Sequence, residues 1–585
     1  MPIARLLPLL LWLAGAPCVL AEYRCMFDKI APKVSELQTA VVRELPRTTA
    51  GGWQAYTAAT PDWAPIRIKV FAEDLKNELR YCTQQGDVRP DFTGDLIRCQ
   101  WPDVVTKEKM NIILTELLPK AVLLHAERLL VRPVRGALTL PLFKLGVCRE
   151  FTVPAAHHVS GVAGADMLLY VAAAPTQDRA VAWASTCVTL RDGRPAAGVL
   201  NLSPSFVAPT RTSVRVVSHE IAHALGFHSQ LMQRLGMITR HLGLRGKAST
   251  FVVSSNETRA RAREHYGCNT APGVELEDEG GMGTAYSHWE RRNAKDELMN
   301  PAVGAGFYTV LTLAAFADMG YYRANFSMAE PMGWGYKAGC SLLQEKCLKN
   351  GVTAHPEMFC SGPSHTLACT SDRRALGTCL LVVYKNALAH EYRYFTQSNI
   401  GGHHDLLMDL CPVIVPLKDA DCADGNSALM PGSRIGPHSL CLKGDSLQLA
   451  RRGRIGDVCA EVMCLGGVVR VRYLGDDAWH LCPEGAALTP AWPFTGGRIL
   501  CPRSVDVCPR LPDPPPGEGG RAETRRGAGT PGEKGQQGGK GTANTTATAN
   551  NGQGVLEQLC LMLGIDCSDV KWWDPSFLLS FWRDA

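Results

Sequence analysis

After residue 21 the one charge-free stretch that reaches about 18 residues, 298–317, is broken by Asn300-Pro301 and by Gly304 and Gly306, and so lacks the continuous apolar helix needed to cross a bilayer. The sequence therefore predicts no transmembrane helix. Charge of one sign is also missing. Lys and Arg number 61 against 56 Asp and Glu, a net +5 at pH 7, and so near a balance points to no polyanionic partner. No nucleic-acid motif occurs. The one basic cluster, "RAETRRGAG", lies in low-complexity sequence and reads as a solvated tail, which leaves nucleic acid out as a partner. The length, 585 residues, exceeds what a single core holds and implies several domains.

Cysteine, by contrast, is abundant. There are 22, spread along the whole chain, a usage that fits an oxidising compartment. The N-terminus agrees: Arg5 precedes the apolar run Leu6 to Leu13, and Val19 and Ala21 sit where signal peptidase selects small residues. The expectation is a signal peptide over 1–21 and a secreted or cell-surface protein. Loss of Cys18 with it would leave an odd count of 21, so one thiol should stand apart. Cys25, isolated from the rest, is the candidate, and the other 20 would form ten bridges.

Residues 22–55 read as a pro-segment. In "TKEKMNIILTELL", Met110, Ile113, Leu114 and Leu117 recur at helical spacing, and a second helix is expected from Lys120 after a break at Pro119. "DMLLYVAAAP" and "AGVLNLSP" read as strands, with a turn at Asp192-Gly193 before the second. That second strand is either a core strand or an edge able to pair with extended peptide. From 340 to 508, closely spaced cysteines among short strands suggest a disulfide-stapled domain. Residues 511–554 are too polar to bury a core. The tail 555–585 ends in "FLLSFW" followed by Arg583 and Asp584, a poor match to the apolar tail of a lipid-anchor signal.

The chemistry gathers at "VVSHEIAHALGFHSQ". Val214, Val217, Ile221 and Leu225 make one apolar face of a helix, with Ser213 as N-cap and Gly226 as stop. His219 and His223, at i and i+4, project from one side of it, the spacing that lets two imidazoles share an ion. Glu220 is rotated about 100° away, beside the metal, where it can take a proton from metal-activated water. A metzincin zinc peptidase would place its third histidine at position 229, which is Ser229. His228 lies one residue early, just past the Gly226 turn; the other candidate is His288, eleven residues before Met299. Met299, in Leu-Met-Asn-Pro, fits the methionine turn that floors three-histidine zinc sites. "VELEDEGGMG" clusters Glu275, Glu277, Asp278 and Glu279, either a calcium site or, on the plainer reading, a solvated acidic loop. Asn201, Asn256, Asn325 and Asn544 begin candidate N-glycosylation sequons, that of Asn201 being followed by Pro204.

The H-E-x-A-H-A-L-G-F segment, followed about 60 residues later by S-H-W-E-x-R-N-A-x-D-E-L-M-x-P, resembles leishmanolysin, the surface metallopeptidase of trypanosomatid parasites. "DWAPIRIKVFAEDL", "LLPKAVLLHAERLLVRPV" and "AWASTC" extend the likeness over roughly residues 22 to 510. The resemblance implies an α+β, metzincin-like zinc peptidase domain, with a segment inserted between the second and third zinc ligands. A disulfide-rich, mostly β C-terminal domain would follow. The expected divisions are 56–229 with the active helix, 230–345 with the third ligand, and 346–510. It further implies one Zn2+ held by His219, His223 and His288, Glu220 as general base, Met299 below the metal, and Cys25 as a thiol that blocks the site until activation. Substrates would be proteins and peptides, and a role in cell adhesion could accompany catalysis. The other reading is a disulfide-rich adhesion protein on a protease scaffold, with weak or no catalysis.

Overall fold

The computed structural model describes Cys25 and residues 27–30, 38–43, 62–176, 180–281, 284–364, 366–403 and 405–508. The expected signal peptide, the segment 511–554, the tail and Asn544 lie outside them. A five-stranded sheet organises the first half. Its strands are β1 (Gln38–Thr39), β2 (Ile68–Phe71), β3 (Met167–Ala172), β4 (Ala182–Thr189) and β5 (Pro195–Leu202), in the order β1-β4-β5-β3-β2. Only the β4–β5 pair is antiparallel, and the expected Asp192-Gly193 turn joins it, with Gly193 at φ +93°.

Every residue of β3 and β5 is buried, because both faces of the sheet are covered. The period of two sends Met167, Leu169 and Val171 to one core, and Leu168, Tyr170 and Ala172 to the other. "AGVLNLSP" is thus a central strand, and the alternative of an edge open to substrate is corrected: β4 and β1 lie beyond it on one side and β3 and β2 on the other. Asn201 on β5 is also corrected as a glycan acceptor. It is fully buried, and its side-chain amide exchanges hydrogen bonds with the backbone of Ala174 at 2.9 and 3.2 Å. Asn256 is exposed and Asn325 half-buried.

Two helices lie against the sheet. The first, α1, runs from Lys107 to Ala126 without the expected break, and its middle, Ile112–Leu117, widens into a π-helical stretch. Proline has no N–H to give and crowds the preceding turn; a wider turn just before Pro119 lets the helix continue through it. The second, α2 (Arg211–Ala224), carries the histidines. Its N-cap is Thr210 rather than Ser213: the Thr210 hydroxyl accepts from the Ser213 amide at 3.1 Å. It stops at Gly226, whose φ of +106° suits glycine alone. Gly198 of β5 faces it, and a Cβ there would stand 2.7 Å from the Ser185 carbonyl and 3.1 Å from the Ala224 side chain.

The acidic stretch is not solvated, which corrects the plainer reading. Glu275 forms a two-pronged ion pair with Arg245 at 2.6 and 2.8 Å, and the Lys247 ammonium lies 2.6 Å from Asp278 and 2.7 Å from Asp409. These cations come from a distant loop, so no local pattern announced them.

Two four-stranded antiparallel sheets occupy residues 439–500, with Leu442, Val458, Val471 and Ile499 in a core of their own. Nine disulfides form among the described residues, six of them wholly within 347–508. Of the ten expected bridges the tenth would use Cys560 and Cys567, which are not described. No helix among the described residues is long and apolar enough to cross a membrane.

Candidate metal centre

One turn of α2 and two distant loops build the centre. His219 and His223 project from α2, and their Nε2 atoms stand 3.1 Å apart. His288 arrives from the loop after the acidic stretch, with its Nε2 3.2 Å from that of His223. All three rings are buried. The other nitrogen of each ring is occupied: Nδ1 donates to the carbonyl of Leu298 from His219 (2.6 Å), of Phe227 from His223 (2.7 Å) and of Thr284 from His288 (2.8 Å). A carbonyl can only accept, so each Nδ1 carries the proton and each Nε2 lone pair turns inward. Burial, helped by the neighbouring rings, keeps the first two uncharged: it pushes His219 down to about 3 and His223 well below the usual imidazole range.

Cys25 completes a buried group of four side chains, Cys25, His219, His223 and His288, able to hold one metal ion. Among the described residues it is the one cysteine outside a disulfide, as the odd count suggested. Its Sγ lies 3.6 Å from His223 Nε2 and 3.5 Å from Glu220 Oε1. Glu220 is fully enclosed, and its Oε2 has no hydrogen-bond partner. Burial drives its carboxyl up to about 8, against the smaller opposing effects of the Cys25 thiol and the Ala184 backbone.

Met299 is fully buried in the large core beside the centre. Its carbonyl accepts from the Trp289 amide at 2.9 Å, and the preceding carbonyl, of Leu298, receives the His219 ring. The turn thus ties the segments of two histidines together. Glu297 anchors it, accepting from the Met299 amide and from the Thr309 and Thr312 hydroxyls. Sequence reasoning passed over Glu297, whose partners lie 12 and 15 residues downstream.

His228 is outside the group. It is the N-cap of the helix Ser229–Arg234, its Nδ1 accepting from the Leu231 amide at 3.2 Å. Also missed was His125 on α1, fully buried behind the active helix and bonded to the Ser218 carbonyl (2.8 Å) and Tyr308 hydroxyl (3.1 Å).

A model of the leishmanolysin family matches residues 23–512. Leishmanolysin of Leishmania major is 37% identical over 463 residues, which cover 76% of this chain and 77% of that one. The protein of the same name from Leishmania amazonensis is 35% identical over 522 residues, 83% and 87% of the two chains. A leishmanolysin-like peptidase of Drosophila melanogaster is 29% identical over 416 residues, 53% and 60%. By class, then, the chain is a metallopeptidase. It belongs to the leishmanolysin family.

Proposed function

We propose that the chain is a secreted or surface zinc endopeptidase acting on proteins and peptides, with His219, His223 and His288 as metal ligands and Glu220 as general base. The observation that carries this reading is the convergence of three inward lone pairs. Tetrahedral zinc with nitrogen ligands at about 2.05 Å would hold them roughly 3.3 Å apart, and a thiolate at about 2.3 Å would lie roughly 3.6 Å from each nitrogen. The separations are 3.1 and 3.2 Å between nitrogens and 3.6 Å to sulfur, so the donor set fits zinc. Bound there, zinc would polarise the scissile carbonyl and lower the pKa of water to about 7.

The chain's own residues do the rest. Glu220, with one oxygen uncommitted, takes a proton from the attacking water and returns it to the leaving amine. The carbonyls of Leu298, Phe227 and Thr284 fix the imidazoles, and Met299 floors them. An extended substrate can lie along β4, since among the described residues β1 pairs only with Val188 and Thr189. Cys25 takes the fourth ligand position in the unprocessed chain and keeps it latent. On this reading the fold is metzincin-like, 22–55 is the pro-segment, 56–345 carries the site and 346–510 is the disulfide-rich C-terminal part, whose residues Leu348, Phe359 and Met408 still pack in the large core.

Casein hydrolysis by the activated protein, compared with Glu220→Ala, tests the proposal. Near-stoichiometric zinc in both and at least 100-fold slower hydrolysis by the variant are expected. Equal rates would remove Glu220 from the mechanism, and absence of zinc from the wild-type protein would end the proposal.

A further inference from the structure

Cys25 is not the only residue of its segment that reaches the centre. The Cys25 amide donates to the Pro301 carbonyl at 3.0 Å, and two residues later Phe27 is 1% exposed. The Phe27 ring lies face to face with the His223 imidazole, centroids 4.1 Å apart and planes 11° from parallel. It also stacks on His228, at 5.6 Å and 26°. Neither imidazole owes its position to the phenyl group. His223 is fixed by the Phe227 carbonyl, and His228 by capping the next helix. Beyond Phe27, Ile30 is buried in the second core, and β1 pairs with β4.

We infer that the faces of His223 and His228 form a pocket for a planar aromatic side chain, filled here by the chain's own Phe27, and that this contact holds the segment over the metal centre independently of the thiol. Two prearranged ring faces favour an aromatic group beyond its apolar area. A flat ring on His223 also covers an imidazole that water would otherwise reach. A thiol on a metal exchanges with other ligands, whereas this contact needs no metal. The pocket rests on geometry alone; only its consequence, latency, rests on the peptidase reading.

The test uses the full-length chain. Alkylation of Cys25 by iodoacetamide, followed by mass spectrometry of the peptide that contains it, should be slow in the wild type and at least tenfold faster in Phe27→Ala. Phe27→Leu, which keeps apolar bulk without a flat face, should fall between them, as should His228→Asn, which keeps a cap and removes the ring. Equal rates for wild type and Phe27→Ala overturn the inference, and a wild-type rate for Phe27→Leu overturns its aromatic character. With the thiol removed from both, Cys25→Ser/Phe27→Ala should hydrolyse a reporter peptide at least tenfold faster than Cys25→Ser. Equal activity refutes the thiol-independent hold. Zinc-loaded chains that hydrolyse nothing would count against the peptidase reading, while the alkylation rates still decide the pocket.

Discussion

Glu220 should destabilise the metal-free protein, and Glu220→Gln should relieve it. The carboxyl is fully buried with one oxygen unpaired, and its pKa rises from 4.5 to about 8. A raised folded-state pKa means that this group's stability is fully present below pH 4.5 and is lost as pH climbs to about 8. At pH 7 folding must take up a proton that the unfolded carboxylate lacks, at a cost of about 3 kcal/mol. Glutamine has no proton to take up, but its buried amide costs about 1 kcal/mol, leaving a net gain of about 2 kcal/mol. In scanning calorimetry of the chelated full-length chain, that gain should raise the melting temperature at pH 7 by about 2 °C. By pH 4, where the unfolded carboxyl is itself protonated, the gap should vanish and reverse, leaving only the amide's cost of about 1 kcal/mol. Restored zinc should narrow the gap at pH 7, because a dication favours the carboxylate. A variant that melts no higher at pH 7, or a gap that persists at pH 4, would show that burial is not what raises this pKa.

Two other outcomes are expected. His288→Ala should lose most bound zinc by elemental analysis while His228→Asn keeps it, and the reverse would make His228 the third ligand. Burial depresses His125 to about 3, so stability should fall as pH drops below 6.5 and reach a deficit of about 2 kcal/mol at pH 5. His125→Gln should flatten that acid limb in denaturation midpoints at pH 5 and 7, and an unchanged slope would place the loss elsewhere.

Sequence by itself determined what is local or countable. The i, i+4 spacing put His219 and His223 on one helical face, and Gly226 ended the helix because only glycine tolerates that backbone angle. β3 and β5 show no alternation of apolar and polar residues, since both of their faces are covered. Cysteine arithmetic singled out Cys25 because a thiol outside every disulfide leaves an odd remainder. The tertiary structure decided whatever depends on segments far apart in the chain. It brought His288 to the pair on α2 and set His228 to capping the next helix. It placed β5 inside the sheet rather than at its edge, and it met the acidic stretch with Arg245 and Lys247. Each of these turns on which groups share a few ångströms of low-dielectric space, where lone pairs and charges must find partners. Periodicity along the chain carries no record of that.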